Sequence, residues 1–368
     1  MNFMPNDDAL RFGRDLRKVL SAYSADPALH GPPGPGDEHD AALWTFTARQ
    51  LGVQGLTIAE ELGGSGTYLT ALGVCFEELG RVLVRAPFLS TIGIAAPILS
   101  QLSHASDDCA QLLRRIADGS AIVALAGLSP AASGSALIAT EGRIDGTAPV
   151  VVDGCTADCL LVAATDTRGS AGLYLVRAPL AGVRRERLTA LDPTRPLARV
   201  TFSSAPAQLL TPDARPVIDA ALDTAWLLLA AEQLGGAQAV FDMALGYAKT
   251  RCQFGRPVGS FQAIKHRLAE MLVRVESTRS VVYHALRESE ADPAARPVEA
   301  ALARAAASEA FVACASDNIQ IHGGIGFTWE HPAHLYLKRA KSSALLFGGA
   351  VLARRRLAER LAIVEAAP

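Results

Sequence analysis

The sequence predicts an α+β protein with several domains, in which helices come first, then a β domain, then a helical bundle. The chain has 368 residues, which is long enough for two or three domains. Apolar residues follow a helical period up to about residue 120, change to short runs bounded by turn residues, and return to the helical period after that. We therefore expect a helical domain at residues 1–120, a β domain at 121–212 and a helical bundle at 213–368.

The first segment is interrupted by a stretch of only glycine and proline at residues 31–36. Proline lacks the amide hydrogen that a helix interior needs, and glycine weakens helices. We predict a loop here, between two helical parts of the first domain.

The second segment contains runs typical of strands. Each run is short and apolar, and glycine or aspartate residues separate it from the next. This pattern indicates buried strands that are joined by turns. The predicted strands include residues 136–139, 150–152, 159–162 and 173–176.

The third segment predicts long helices. One of them carries apolar residues in steps of three and four, which places them on one face. These residues are Ile264, Leu268, Met271, Leu272 and Val275. Pro293 and Pro297 separate this helix from a second, alanine-rich helix that should end near Gly323.

Charge and hydropathy exclude several classes of protein. The 35 basic and 37 acidic residues leave a formal charge of −2, which gives no electrostatic footprint for nucleic acid. The longest unbroken apolar run spans residues 225–231, far below the roughly 20 residues of a membrane-spanning helix. The N-terminus turns acidic at Asp7 before any apolar segment develops, which is not typical of a secretion signal. We expect a cytoplasmic protein with no membrane span.

The sequence shows no common metal or nucleotide motif. Cys155 and Cys159 are the closest pair among six cysteines, but three intervening residues are not a zinc-knuckle spacing. Without a secretion signal we expect free thiols and no metal site. Gly64 and Gly66 are followed by Leu69, where a dinucleotide-binding loop needs a third glycine.

Residues 251–257 form a short bend between two helical stretches, and we predict the turn of a helical hairpin. Arg251 can direct two N–H donors to a pyrophosphate, and Phe254 can stack on a flat ring. Gln253 adds an amide, and Gly255 allows a backbone to approach closely. A hairpin that faces solvent and binds nothing is the alternative, and these residue types also allow it.

Residues 320–327 contain three glycines at the end of a predicted helix: Gly323, Gly324 and Gly326. A helix C-terminus needs only one, so this bend is suited to backbone contact with a ligand. Gln320 adds an amide beside it. His322 alone is more typical of a packed structural histidine than of a catalytic one.

With these segments in their order and spacing, the sequence resembles the acyl-CoA dehydrogenases over nearly its full length. The matching stretches are residues 51–53, 60–66, 77–81, 153–158, 251–257 with 261–262, and 320–327 continuing to 339–341. The resemblance implies an N-terminal helical domain, a central β-barrel domain, a C-terminal four-helix bundle and usually a tetramer. Family members use FAD to abstract hydride from Cβ of an acyl-CoA thioester. A glutamate removes the α-proton, and an electron-transfer flavoprotein reoxidises the flavin.

Both positions at which family members carry that glutamate hold other residues here. Spacing from the matching motifs places them at Phe347 and Ala225. Neither side chain can accept a proton, so the resemblance assigns no catalytic residue to this chain. Asp223 and Glu232 are the nearest carboxylates to Ala225, but the helical period turns Asp223 to another face and Glu232 lies nearly two turns away.

The expected flavin pocket is reduced as well. Family members commonly use hydroxyl side chains at two β-domain positions to bind the isoalloxazine edge, and Leu128 and Val152 match those positions here. Neither can form a side-chain hydrogen bond. A shift of the comparison by a residue would allow a nearby serine, Ser129, Ser133 or Ser135, to compensate.

The residues that reach across a subunit interface in the family are present. In the family they hold the adenosine-diphosphate part of a neighbour's FAD. The candidate cofactor-binding residues are Arg251, Gln253, Phe254, Gln320, Gly323 and Gly324. This combination resembles the glutamate-lacking subunit of heteromeric α₂β₂ acyl-CoA dehydrogenases, best known from bacterial sterol side-chain degradation. It implies a catalytic partner subunit that holds the base.

Two other functions stay open from the sequence. One is a homomeric flavoenzyme with a different base such as Asp223, which would bind FAD without a partner. The other is a flavin-free protein that binds acyl thioesters, which would have no use for Arg251 and Gln320. The sequence names neither the acyl group nor the partner chain.

Overall fold

The computed structural model describes residues 5–24, 39–66, 68–128, 137–177 and 182–363. The chain divides into two compact units, each assembled from segments that are distant in sequence. The first unit lies within Met1–Pro32, Leu69–Val84 and Trp226–Pro368, and the second lies within Pro33–Tyr68 and Arg85–Ala225.

Helices and strands follow one another in the predicted order, so the α+β fold class is confirmed. The helices before the strands are α1 (Asp7–Ser24), α2 (Ala41–Arg49), α3 (Leu69–Arg81), α4 (Ala96–Leu102) and α5 (Asp107–Ala117). The strands that follow are β1 (Val123–Ala126), β2 (Ile138–Thr140), β3 (Arg143–Val152), β4 (Cys159–Asp166), β5 (Ala171–Arg177), β6 (Val183–Arg187), β7 (Leu197–Pro206) and β8 (Gln208–Thr211). The later helices are α6 (Arg215–Thr250), α7 (Gln262–Ala291), α8 (Arg296–His322), α9 (Ala333–Leu345) and α10 (Gly349–Arg360).

Strands β1 to β8 form one sheet in the second unit. Its order is β6-β7-β3-β2-β4-β5-β8, and β1 pairs in parallel with β4. Neighbouring strands are antiparallel except at the contacts of β1 and β2 with β4. The strands predicted at 150–152, 159–162 and 173–176 are confirmed. Of the run at 136–139, Ile138 and Ala139 belong to β2, while residue 136 and the predicted loop at 31–36 lie outside the described residues.

The first unit is held by a close crossing of α3 and α6. A Cβ atom added to Gly80 would lie 2.0 Å from the Glu232 carbonyl oxygen, and one added to Gly235 would lie 1.8 Å from the Glu77 carbonyl oxygen. Only glycine fits at such a backbone contact. This contact explains why both positions are glycine.

Buried charges connect α1, α3 and α7 in the same unit. Glu77 accepts hydrogen bonds from the Arg279 guanidinium at 2.6 Å and from the Tyr283 hydroxyl, and Glu78 accepts from Arg17 at 2.5 and 2.7 Å. Burial, followed by the Glu77 charge, raises the pKa of Tyr283. Removing Glu77 would leave the largely buried Arg279 guanidinium and the buried Tyr283 hydroxyl without this partner.

The long helices of the third segment agree with the pattern of the sequence. The apolar stripe that begins at Ile264 lies on α7, and α8 carries a proline in its first turn and ends at His322, next to Gly323. In α6, residues 225–231 are buried on every side, which explains their continuous apolar run. Among the described residues, no helix is long and apolar enough to span a membrane.

Candidate functional site

The bend at residues 251–257 is a tight β-turn between α6 and α7. The amide of Arg251 donates the last helical hydrogen bond of α6, to the Tyr247 carbonyl at 2.8 Å. Two short strands, β9 (Cys252–Gln253) and β10 (Arg256–Pro257), then pair antiparallel. Phe254 and Gly255 form the tip with φ values of 54° and 76°, as a two-residue hairpin turn requires. The predicted helical hairpin is confirmed, and its turn contains this small ladder.

Phe261 supports the hairpin from one side. The Arg256 guanidinium lies 4.1 Å from the centre of the Phe261 ring, and the Phe254 ring meets Phe261 edge-on with centroids 6.2 Å apart. Phe254 nevertheless leaves 86% of its surface exposed. Arg256 is therefore held by a cation–π contact, whereas Phe254 keeps an open face.

Arg251 is the other cation of this hairpin, and its guanidinium is exposed. Within the described part of the chain, no carboxylate or carbonyl pairs with it. An exposed Arg that no neighbour holds can direct a fork of N–H donors to a phosphate or carboxylate. Gln253, which precedes the tip, is exposed as well.

The glycine-rich bend begins where α8 ends. His322 is the last helical residue, and Gly323 follows with φ 64° and ψ −141°, a conformation that favours glycine. A Cβ atom added to Gly323 or Gly324 would meet no atom of the described residues within 4 Å, so both glycines border open space. Gln320 lies one turn earlier on α8, exposed and without a hydrogen-bond partner among the described residues.

A stack of three rings joins the base of the hairpin to the bend. The Tyr247 and His322 rings have centroids 4.3 Å apart, and the His322 and His331 rings are also 4.3 Å apart. Tyr247 lies one helical turn before Arg251, and His322 directly precedes Gly323. The structure therefore brings together the two segments that the sequence identified separately.

These residues fit the adenosine-diphosphate part of a dinucleotide cofactor. Arg251 offers an unpaired positive charge for a pyrophosphate, and Phe254 offers an exposed ring face for a base. The open space beside Gly323 and Gly324 admits a ligand to within backbone contact. Each of these features lies in the first unit.

Two family models match the chain. The model described as "Acyl-CoA dehydrogenase, C-terminal domain" matches residues 215–362, and "Acyl-CoA dehydrogenase, N-terminal domain" matches residues 36–120. The chain belongs to the acyl-CoA dehydrogenase family. A relative from Mycobacterium tuberculosis (strain ATCC 25618 / H37Rv), the acyl-CoA dehydrogenase IpdE2, is 38% identical over 342 residues, which cover 93% of each chain.

Two solved structures of heteromeric or steroid-related proteins have the same fold. The ChsE4-ChsE5 complex from Mycobacterium tuberculosis contains a chain that matches with a TM-score of 0.86 and 27% identity. The match covers 100% of the present chain and 100% of that chain. A variant of the Tcur3481-Tcur3483 steroid ACAD has a TM-score of 0.86 and 29% identity, covering 97% of this chain and 98% of that chain. The acyl-CoA dehydrogenase fold predicted from the sequence is confirmed.

The two positions that the resemblance assigned to the family's catalytic glutamate have different surroundings in this acyl-CoA dehydrogenase. Ala225 is fully buried in the middle of α6. Phe347 lies between α9 and α10 in a kink, with φ 54°. The guanidinium of Arg304, itself fully buried, donates to the carbonyls of Ser343 and Leu346 and so fixes the backbone before the kink.

The nearest carboxylates in sequence, Glu232 and Asp223, are both buried. Glu232 accepts a hydrogen bond from Arg339 at 2.8 Å, and only 10% of its side chain is exposed. A carboxylate oxygen that accepts a hydrogen bond from a buried guanidinium is engaged in a charge-assisted contact. Asp223 is 4% exposed and belongs to the second unit.

The β-domain positions expected to face a flavin lie in the second unit. Val152 is the last residue of β3 and is 8% exposed, and Leu128 follows β1 and is half-buried. Gly127 precedes it with φ 92°, and a Cβ there would lie 2.5 Å from the Ala163 carbonyl oxygen. The serines at 129, 133 and 135 lie outside the described residues.

Sequence reasoning missed three residues that shape these segments: Tyr247, His331 and Arg304. Tyr247 is one helical turn before Arg251, so its place beside the hairpin could have been inferred from the helical period. His331 stands in a polar stretch that gave no periodic signal. Arg304 is a cation within an alanine-rich helix, and nothing in the local pattern indicates that it is buried.

Proposed function

We propose that this chain is the glutamate-lacking subunit of an FAD-dependent, heteromeric acyl-CoA dehydrogenase and that it completes the FAD site of a partner chain. The proposal rests on a difference between the positions of the catalytic base and the exposed residues of the two bends. The positions of the catalytic base hold Phe347 and Ala225, while Arg251, Phe254 and Gln320 are exposed and point to a ligand outside the chain's own core. A chain that had lost flavin altogether would have no use for this set.

The proposed roles follow from the chemistry of each group. Arg251 binds the pyrophosphate charge, and Phe254 stacks on a ring of the adenosine part. Gln320 donates or accepts a hydrogen bond, and Gly323 with Gly324 allows close approach of the backbone. Bound FAD would supply the acceptor for the hydride that leaves Cβ of the acyl-CoA. This chain binds and orients the cofactor but removes no proton.

The partner is proposed to be a second acyl-CoA dehydrogenase chain that carries the glutamate, in an α₂β₂ assembly. Support comes from the structural neighbours, since the ChsE4-ChsE5 complex and the Tcur3481-Tcur3483 steroid ACAD are each named for two chains. The word "steroid" in the latter name suggests a steroid-derived acyl-CoA as the substrate class. Reoxidation by an electron-transfer flavoprotein is part of the same proposal.

Two further expectations accompany this function. We infer a cytoplasmic location, which the six free cysteines favour because thiols persist in a reducing compartment. We also propose that the family's three domains occupy residues 1–120, 121–212 and 213–368. These boundaries would be tested by limited proteolysis and mass spectrometry of the fragments.

The first experiment measures the flavin-to-polypeptide ratio of the chain purified alone and after co-expression with a candidate partner chain. We expect almost no flavin in the lone chain and stoichiometric flavin in the complex. The lone chain supplies only its own part of the FAD site, here called the half-site (Arg251, Phe254, Gln320, Gly323 and Gly324), which leaves the cofactor largely exposed. A ratio close to one in the lone chain would favour the homomeric flavoenzyme instead. In that case Asp223 would be the first base to test.

The second experiment compares two arginine variants within the complex. Arg251→Ala removes a charge-assisted contact to the pyrophosphate, and we expect it to weaken FAD retention by about tenfold or more. Arg215→Ala is the matched control, since Arg215 is a similarly exposed arginine whose nearest acidic partner lies on its own helix. Equal flavin content in Arg251→Ala and wild type, with the complex intact, would refute the assignment of Arg251.

A further inference from the structure

A cluster of histidines packs against the glycine-rich bend. His322 lies between the rings of Tyr247 and His331, with centroids 4.3 Å away on each side. Gly326 packs against it, since a Cβ on that glycine would lie 2.9 Å from the His322 Cβ. His334 belongs to the same cluster and meets Trp329 edge-on at 4.6 Å.

A hydrogen bond establishes which ring nitrogen of His322 carries the proton. Its Nδ1 lies 2.9 Å from the Asn318 carbonyl oxygen, so this nitrogen carries a proton. Its Nε2 is buried and has no hydrogen-bond partner among the described residues, and the side chain is only 4% exposed. A second proton on Nε2 would therefore be a buried charge without an acceptor.

Polar and titratable groups of three helices surround the cluster. Helix α6 contributes Tyr247, and α8 contributes the backbone carbonyl of Asn318. Helix α9 contributes His334 and Lys338, whose ammonium lies 4.5 Å from the Trp329 ring centre. In the described part of the chain, no carboxylate forms an ion pair with His322, His331 or His334.

All three imidazoles are consequently easier to keep neutral than an exposed histidine. Burial lowers the pKa of His322, although its bond to Asn318 partly opposes this. Burial lowers the pKa of His331, and the nearby His322 and His334 lower it further. Burial and the positive charge of Lys338 lower the pKa of His334.

We propose that the Tyr247–His322–His331 stack is a pH-sensitive brace for the half-site. With neutral imidazoles it holds the bend at Gly323 and Gly324 in the conformation that receives the partner's FAD, and protonation separates the rings and releases the bend. This inference rests on the function proposed above. It means that pH controls FAD binding through side chains that pack against the bend.

The direction of the effect follows from linkage. The released form binds protons with the ordinary histidine pKa of about 6.5, whereas the braced form binds them less readily. The brace is therefore fully stable above about pH 6.5 and is lost progressively as the pH falls below that value. An increase of pH above neutrality has no effect through these groups.

Amide hydrogen exchange of the full chain tests the brace without any flavin. We expect the protection factor of peptides covering residues 320–327 to fall about threefold or more between about pH 7.5 and pH 5.5. The His322→Phe/His331→Phe double variant keeps the rings but removes the protons, and its protection should not change with pH. His104→Asn, at an exposed histidine of the second unit, should behave like wild type.

A histidine titration of the wild-type chain by NMR provides a check that needs no variant. We expect imidazole signals that titrate below the range of free histidine and that shift together with the amides of the bend. Protection of residues 320–327 that is constant over this pH range, or imidazoles that titrate like free histidine, would overturn the proposal.

A second measurement connects the brace to the cofactor. In the complex, FAD release should accelerate on acidification about threefold or more in wild type and not in the double variant. A pH-dependent bend together with pH-independent FAD release would overturn the link to the cofactor and count against the half-site function. A pH-independent bend with normal, Arg251-dependent FAD binding would overturn only the brace.

Discussion

Glu232 and Arg339 form a buried ion pair in which Oε1 of Glu232 lies 2.8 Å from Nη1 of Arg339. Only 10% and 3% of their side chains are exposed. Arg339 also donates to the Val84 carbonyl at 3.4 Å, so its guanidinium connects α6, α9 and the chain segment after α3. Glu232 is therefore a structural carboxylate of the first unit, engaged by its partner, and it is poorly suited to act as a catalytic base.

Breaking this pair should strongly destabilise the first unit. Arg339→Met leaves a buried carboxylate without a cation, and we expect the free energy of unfolding in urea to fall by about 3–5 kcal/mol. Arg355→Ala is the control, because it removes an exposed pair with Glu359 and should cost less than about 1 kcal/mol. The double variant Glu232→Gln/Arg339→Met should recover part of the loss. A single variant within about 1 kcal/mol of wild type would contradict a buried pair.

The crossing of α3 and α6 predicts opposite effects for two glycines of one helix. Gly235→Ala should destabilise by about 3 kcal/mol or more, because its Cβ would lie 1.8 Å from the Glu77 carbonyl oxygen. The Cβ atom of Gly246→Ala would meet no atom within 4 Å in the part of the chain that the structure describes, so this variant should stabilise α6 by roughly 0.5–1 kcal/mol. Thermal unfolding of the Gly235→Ala and Gly246→Ala variants tests this expectation. Equal melting temperatures would show that the two helices do not touch at Gly235.

Tyr336 predicts a loss of stability at alkaline pH. Its hydroxyl donates to the Arg81 carbonyl at 2.6 Å, and burial raises its pKa to about 12. The unfolded chain releases this proton near pH 10, so stability is full below pH 10 and falls between about pH 10 and 12. The loss should be on the order of 1 kcal/mol by pH 11.

Urea unfolding at several pH values tests this expectation with two tyrosine variants. Tyr336→Phe should be less stable than wild type at neutral pH but should lose less stability on going to alkaline pH. Tyr68→Phe removes a tyrosine that is 55% exposed and should leave the pH dependence unchanged. A Tyr336→Phe curve parallel to that of wild type would be inconsistent with a buried hydroxyl.

Restoring a carboxylate at either family position should not restore turnover. Phe347→Glu introduces it at a partly exposed kink and should fold, whereas Ala225→Glu buries a charge in the middle of α6 and should cost several kcal/mol. We expect neither purified variant to oxidise acyl-CoA with an artificial electron acceptor. Flavin-dependent turnover by Phe347→Glu alone would mean that this chain forms a complete flavin pocket and would refute the half-site function.

Much of the local structure was predictable because local rules decide it. The apolar stripe from Ile264 to Val275 indicated α7, and Pro293 marked the gap before α8, whose first turn contains Pro297. The turn at Phe254 and Gly255 followed from its place between two helical stretches. In each case the deciding interaction joins residues only a few positions apart.

The candidate site was predictable only in parts. Arg251 and Gln320 stood out by residue type and by the resemblance, since each belongs to a short motif. That their two segments meet depends on Tyr247 and His322, which are far apart in sequence. A periodic pattern tells which face of a helix is apolar but not which other helix that face contacts.

The sequence by itself determined the order of helices and strands and the family, and it led to the prediction that Phe347 and Ala225 occupy the two positions of the catalytic base. These features depend on residue types and on spacings along the chain. The tertiary structure decided that Glu232 is held by Arg339, that Gly80 and Gly235 mark a helix crossing, and that the histidines support the glycine-rich bend. Such contacts form between surfaces that folding brings together, and their energies depend on distance and burial, which no local pattern records.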